Sequence, residues 1–204
     1  VLANCLLGDE SHGPDAVGEI VDQLSLERFY ELTGHVPDTA HTLSKLCWLR
    51  QNEPRLYRDT WRFVLLNGLV SHLLGGNSTC DYSHAGATLL FDMRQKSWSR
   101  DILNVCDVAA AKLPDLAPAA TPIGTVSTRI ARDLNLSPTV TIILGGRDLA
   151  CNALGAGVVG SKMAVYSLGN SAHLTPVFHA VPLESMMLRE GLGIEYHLVP
   201  DLLI

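Results

Sequence analysis

An α/β fold is the class this sequence predicts, and three observations carry the expectation. Residues 139–144 read TVTIIL, β-branched and apolar without alternation, which is the pattern of a strand covered on both faces. That run ends in Gly145-Gly146, and beyond Arg147 and Asp148 a small-residue stretch, 149–154, reads as a helix. A strand follows over 163–166, then a second glycine turn, Ser167-Leu168-Gly169-Asn170-Ser171, and another strand over 174–178. Strand, turn, helix, strand in succession is the rhythm of an α/β layer, and the last two strands read as a hairpin.

The elements before this centre can be taken in order. Residues 1–7 read as a strand, followed by the polar loop GDESHG. Pro14 suits the first position of a helix running to about Leu32, with Val17, Ile20, Val21, Leu24 and Phe29 at helical spacing and Gly34 as its stop. Residues 42–51 form a second helix that buries Leu43, Leu46, Cys47 and either Trp48 or Leu49. Lys45 lies one turn from Trp48 and reads as a lysine whose stem covers an aromatic while its amine reaches water. Glu53-Pro54 breaks the pattern and opens a short helix; 61–66 reads as a strand and 68–74 as a helix stopped by Gly75-Gly76-Asn77.

Residues 81–88 are small and polar, and Asp81, Ser83, His84 and Thr88 suit contact with a hydroxyl-bearing ligand. His84 is either a surface histidine or a base. Asp92 reads as a turn acid and Trp98 as a core aromatic, ahead of a helix over 100–106. Residues 112–122, rich in Pro and Ala, read as a surface connection, 124–134 as a short helix, and the alternating 194–199 as a last strand.

Composition excludes several classes. With 204 residues, 47% hydrophobic and 18% charged, the chain has the makeup of one large or two small globular domains. The net charge of −6, with 15 scattered basic residues, leaves no footprint for nucleic acid or an anionic membrane. No apolar run reaches the length of a membrane span. Cysteines at 5, 47, 80, 106 and 151 are odd in number and without CxxC spacing, which argues for a reducing, cytoplasmic setting and against disulfides or structural zinc. Asn77-Ser78-Thr79 fits a glycosylation sequon, a pattern common by chance.

The chemistry concentrates at the two glycine turns. Asp148 stands at the carboxyl end of the central strand, where α/β proteins present reactive groups, and it reads either as a base or as a helix N-cap. The Gly169-Asn170-Ser171 turn offers backbone N–H groups and small polar side chains to an anion. Two other motifs are rejected. Gly155 to Gly160 matches GxGxxG but has a helix before it and a strand after it, the reverse of a dinucleotide site. Gly169-Asn170-Ser171 could open a nucleophile elbow, but His173 replaces the second glycine and a strand follows.

The segments GGRDLACNALGAGVV and YSLGNSAHLTPVF together resemble the core of the FGGY family of carbohydrate kinases, which typically shows GGxD, a small-residue helix and then SLGTS. TLSKLCWLRQN is similar to that family's N-terminal signature, and DYSHAGATLLFDMRQKSWS to its DxSxASxTxLxDxxxxxWS segment. The resemblance implies an actin-like, ribonuclease-H-type α/β fold, with a sugar-binding lobe over 1–159, lacking its start, and the beginning of an ATP-binding lobe over 160–204. It places the family's DxGTxxxR phosphate hairpin upstream of Val1 and its adenosine segment downstream of Ile204. It implies phosphorylation of a sugar or polyol by ATP with magnesium. Asp148 is then the catalytic base; Asp9, Asp81, His84, Arg147 and Leu149 bind the sugar; and Gly169, Asn170 and Ser171 hold phosphate. No protein ligands to a metal are implied, and the partner is a small-molecule sugar, with a homodimer as an allowed state.

Four positions depart from the family pattern. Leu7 and Ser11 replace the aromatic and arginine of WxDxR around Asp9, Leu149 stands where xylulokinases typically carry Asn, and Asn170 replaces Thr. These departures motivate the alternative of a catalytically silent, ligand-binding member. Ala40, where glycerol kinases usually carry an aromatic, implies a wider pocket and a sugar of five or more carbons.

Overall fold

Pro14 opens the first helix, α1 (Pro14–Leu24), where its fixed φ and missing N–H cost nothing. The single helix expected over 14–32 is two. Ser25, at φ 61°, interrupts it, and its hydroxyl accepts from the Arg28 N–H at 3.3 Å to cap α2 (Leu26–Thr33). Gly34 then ends α2 in the left-handed region, at φ 72°, and a Cβ there would lie 2.9 Å from the Ile194 carbonyl oxygen, so a side chain at this position is strained. The structure, a computed structural model, describes residues 1–7, 14–169, 172–179 and 185–204.

The helix over 42–51 forms as α3 (Thr42–Asn52), followed by α4 (Pro54–Asp59) with Pro54 in its first turn. Leu49 is buried and Trp48 half-buried, so the leucine takes the core position. Lys45 corrects its expected reading: the side chain is buried, and its amine donates to the Leu7 carbonyl rather than to water. Residues 1–7 form no strand. Neither does 61–66, where Trp61 is exposed and the Phe63 N–H bonds to the Lys112 carbonyl at 2.7 Å; Leu66 instead starts α5 (Leu66–Leu74), which Gly75 ends.

Next come β1 (Thr79–Asp81), α6 (Tyr82–Gly86), the antiparallel pair β2 (Phe91–Asp92) and β3 (Ser97–Trp98), and α7 (Arg100–Val105). The Asp92 carboxylate accepts the Arg94 and Gln95 N–H groups at 2.9 Å each, the turn role expected of it. The supposed surface connection over 112–122 contains β4 (Asp115–Ala117), which pairs in parallel with β1. Three-residue strands are too short for a period to show in the sequence. Then follow β5 (Pro122–Thr125), α8 (Thr128–Asp133), capped by the Ser127 hydroxyl, and β6 (Thr141–Ile143). The last elements are α9 (Asp148–Gly155), β7 (Met163–Leu168), β8 (Ala172–His179), α10 (Ser185–Arg189) and β9 (Leu202–Leu203).

Two readings of strands are corrected. β6 pairs with β5 alone among the described residues, and Thr141 and Ile143 are exposed, so this strand is not covered on both faces. The expected strand over 194–199 reduces to a bridge between Tyr196 and Leu203, because the chain reverses at Asp201, φ 63°, and the His197 N–H bonds to the Leu202 carbonyl.

Contacts divide the chain into two units that alternate along the sequence. One comprises Val1–Phe63, Ala85–Leu113 and Val181–Glu195; its core gathers Phe29, Leu43, Leu46, Leu89, Leu90 and Ile102, all essentially inaccessible. The other comprises Val64–His84, Pro114–Ala180 and Tyr196–Ile204; its core is built on the small face of α9, Ala150 and Ala153, against Val158, Val177, Leu202 and Ile204. No described helix is long and apolar enough to cross a membrane.

Candidate active site

The second unit holds most of the described residues singled out for chemistry. Asp81 ends β1 and caps α6, its Oδ1 accepting the backbone N–H of Ser83 at 2.9 Å and of His84 at 3.2 Å. The Ser83 hydroxyl donates to the same oxygen. The other oxygen, Oδ2, lies 2.5 Å from His84 Nδ1. With 1% of its surface exposed, Asp81 is buried among these donors. Burial alone would push its carboxyl up, but the hydrogen bond and charge of His84, the Ser83 hydroxyl and the His84 N–H outweigh it and hold the group below the usual carboxylate range. His84, half-buried, is therefore oriented by a carboxylate and is not a free surface histidine.

The Gly145-Gly146 turn lies against this cluster. Ser83 Oγ accepts the Arg147 N–H at 2.9 Å, and a Cβ built on Gly146 would sit 3.0 Å from that oxygen and 2.0 Å from Leu198 Cδ2. Gly145 faces open space. The close approach granted by the second glycine is thus made to the protein's own side chains.

Arg147 is the N-cap of α9 and Asp148 its first residue, so Asp148 is not the cap. Its carboxylate is exposed, accepts the Leu149 N–H at 2.9 Å and lies 3.9 Å from Arg147 Nε. A negative charge in a first turn is favoured by the helix dipole. Leu149, half-buried, packs against the Ala150 and Ala153 core. β7 and β8 pair antiparallel up to Leu168 with Ala172, and Gly169, the last described residue after β7, is exposed. Asp9, Asn170 and Ser171 lie outside the described residues. Among those described, no group of three His, Cys, Asp or Glu could hold a metal ion.

The structure adds the link between Ser83 and Arg147. Ser83 is visible in the sequence as a small polar residue near Asp81, but its partner is 64 positions away and no local signal joins them.

Comparison with known proteins shows the family. Residues 1–155 match the family model of the FGGY family of carbohydrate kinases, N-terminal domain. The chain is 33% identical over 153 residues to the xylulose kinase of Lactococcus lactis, covering 75% of this chain and 30% of that protein. It is 34% identical over 177 residues to the L-fuculokinase of Salmonella typhi, covering 86% and 35%. The chain thus spans about a third of the length of these relatives. Its fold superposes on the crystal structure of a xyloylose kinase from Brucella ovis with a TM-score of 0.85, at 22% identity, over 100% of this chain and 41% of that one, which bears out the actin-like α/β fold. With the family model matching three quarters of its length, the chain belongs to the FGGY family of carbohydrate kinases.

Proposed function

We propose that the full protein transfers the γ-phosphoryl group of ATP to a hydroxyl of a sugar, with a ketopentose of the xylulose type as the first candidate. The observation that carries this reading is the placement of Asp148. It is an exposed carboxylate at the first position of α9, behind a glycine turn whose backbone is held by Ser83. A hydroxyl is a poor nucleophile at neutral pH, and a carboxylate that takes its proton contributes ~10²- to 10⁴-fold. As the sugar oxygen bonds to the γ-phosphorus, the bond to the β-phosphate oxygen breaks, the proton passes to Asp148 and ADP leaves.

In this reading Arg147, Leu149 and His84 line the acceptor, and Asp81 acts through His84 and Ser83. Residues 1–159 form most of the sugar lobe and 160–204 the start of the nucleotide lobe. The backbone N–H groups at Gly169, Asn170 and Ser171 meet the phosphates, where preorganised donors lower the barrier most. Magnesium enters on the nucleotide's phosphates, the usual way that ion is held in phosphoryl-transfer sites.

The test is ADP release by the full-length protein against a panel of ketopentoses, deoxyhexoses, hexoses and glycerol. A ketopentose is expected to give the highest kcat/KM. Glycerol as the best substrate would contradict the pocket argument, and ATP binding with no transfer to any sugar would contradict the kinase reading.

A further inference from the structure

We infer that Ser83 is a positioning residue for Asp148, acting through the Arg147 amide; the inference rests on the kinase reading above. The direction of the two hydrogen bonds at Ser83 is fixed by its partners. A carboxylate held ionised only accepts and a backbone N–H only donates, so Ser83 Oγ must give its proton to Asp81 and receive that of Arg147. Ser83 is 2% exposed and Asp81 1%, so neither bond is exchanged for water at little cost. His84 Nδ1 occupies the other carboxylate oxygen, which leaves Asp81 one orientation in which to hold Ser83.

The Arg147 N–H belongs to the peptide plane that joins Gly146 to Arg147, one residue before Asp148. Holding that plane sets the angle at which α9 starts and where the Asp148 carboxylate stands. Gly146 confirms how close the approach is, since a Cβ there would lie 3.0 Å from Ser83 Oγ. Asp148 itself is held only by contacts at the surface: its exposed carboxylate accepts the next amide's N–H and lies 3.9 Å from Arg147 Nε. Placement of the base therefore comes from the backbone behind it, and the backbone is tied to Ser83. Misplacing a reacting group by about an ångström costs on the order of 10²-fold.

The experiment uses the full-length protein with Ser83→Ala and Ser83→Thr, measuring kcat and KM for the best sugar together with amide hydrogen exchange at residue 147. Ser83→Ala is expected to lower kcat by about tenfold or more with KM within threefold, and to speed exchange at residue 147. Ser83→Thr, which keeps the hydroxyl, is expected to restore both. A kcat within twofold of wild type in Ser83→Ala, or equal losses in the two variants, would overturn the inference. If Ser83→Ala does not fold, Ser83→Cys fills the space with a weak acceptor and carries the same expectation. A wild-type protein that turns over no sugar would count against the kinase reading instead, and unchanged exchange at residue 147 would still overturn the link to Ser83.

Discussion

His84 Nδ1 and Asp81 Oδ2 lie 2.5 Å apart, and this pair, with Ser83, holds a buried carboxylate ionised. Its carboxyl is depressed below the ordinary 3.8 in the folded state. A depressed acid contributes stability that is full above the unfolded value and is lost as pH falls through the folded one. The stability gap between wild type and Asp81→Asn, measured by denaturant unfolding, is expected to hold above about pH 5 and to narrow as pH falls below 3.8. A gap unchanged down to pH 2 would contradict the pairing.

The two glycines of the central turn are expected to behave differently. Gly146→Ala forces a Cβ onto Leu198 and Ser83, and overpacking of this kind costs about 1–3 kcal/mol. Gly145→Ala meets nothing within 4 Å and should leave the melting temperature within a degree or two. Equal sensitivity at both positions would show that the close approach is absent in solution.

Lys45 gives a prediction opposite to that of a solvated lysine. Replacing it by Met keeps the buried stem but leaves the Leu7 carbonyl without this donor, so a loss of about 1–3 kcal/mol is expected. A lysine reaching water would lose almost nothing on that change.

Leu149 has two faces to its prediction. It packs against the α9 core, so Leu149→Asn should lower the melting temperature. If the same position meets the acceptor, an amide that pairs a sugar hydroxyl should raise kcat/KM for xylulose roughly five- to 150-fold, the equivalent of the 1–3 kcal/mol cost of an unpaired buried hydroxyl. A melting shift without any change in sugar preference would mean that Leu149 serves packing alone.

What could be read from the sequence was what is local. The α3 face, the Gly34 stop, the Asp92 turn and the β7–β8 hairpin each follow from residues within a few positions of one another, where periodicity and turn chemistry act. Distant pairings escaped. β1 meets β4 in parallel, Lys45 reaches Leu7 from 38 positions away, and Ser83 reaches Arg147 from 64; none leaves a spacing pattern. Ser25 failed for another reason, since a serine at positive φ lies within a run whose apolar spacing continues through it. The Gly145-Gly146 turn could be named from residue types, whereas the Ser83 hydroxyl that accepts the Arg147 N–H behind it required the tertiary structure.

In the proposed mechanism Asp148 takes the proton of the attacking hydroxyl. The most direct test is sugar-dependent ADP release by full-length Asp148→Asn, with ATP affinity and melting temperature measured alongside. Asparagine keeps the side-chain oxygen that accepts the Leu149 N–H but cannot accept the proton, so turnover is expected to fall by ~10²- to 10⁴-fold with the fold and ATP binding retained. Turnover within tenfold of wild type, in a protein that melts normally, would contradict the assignment.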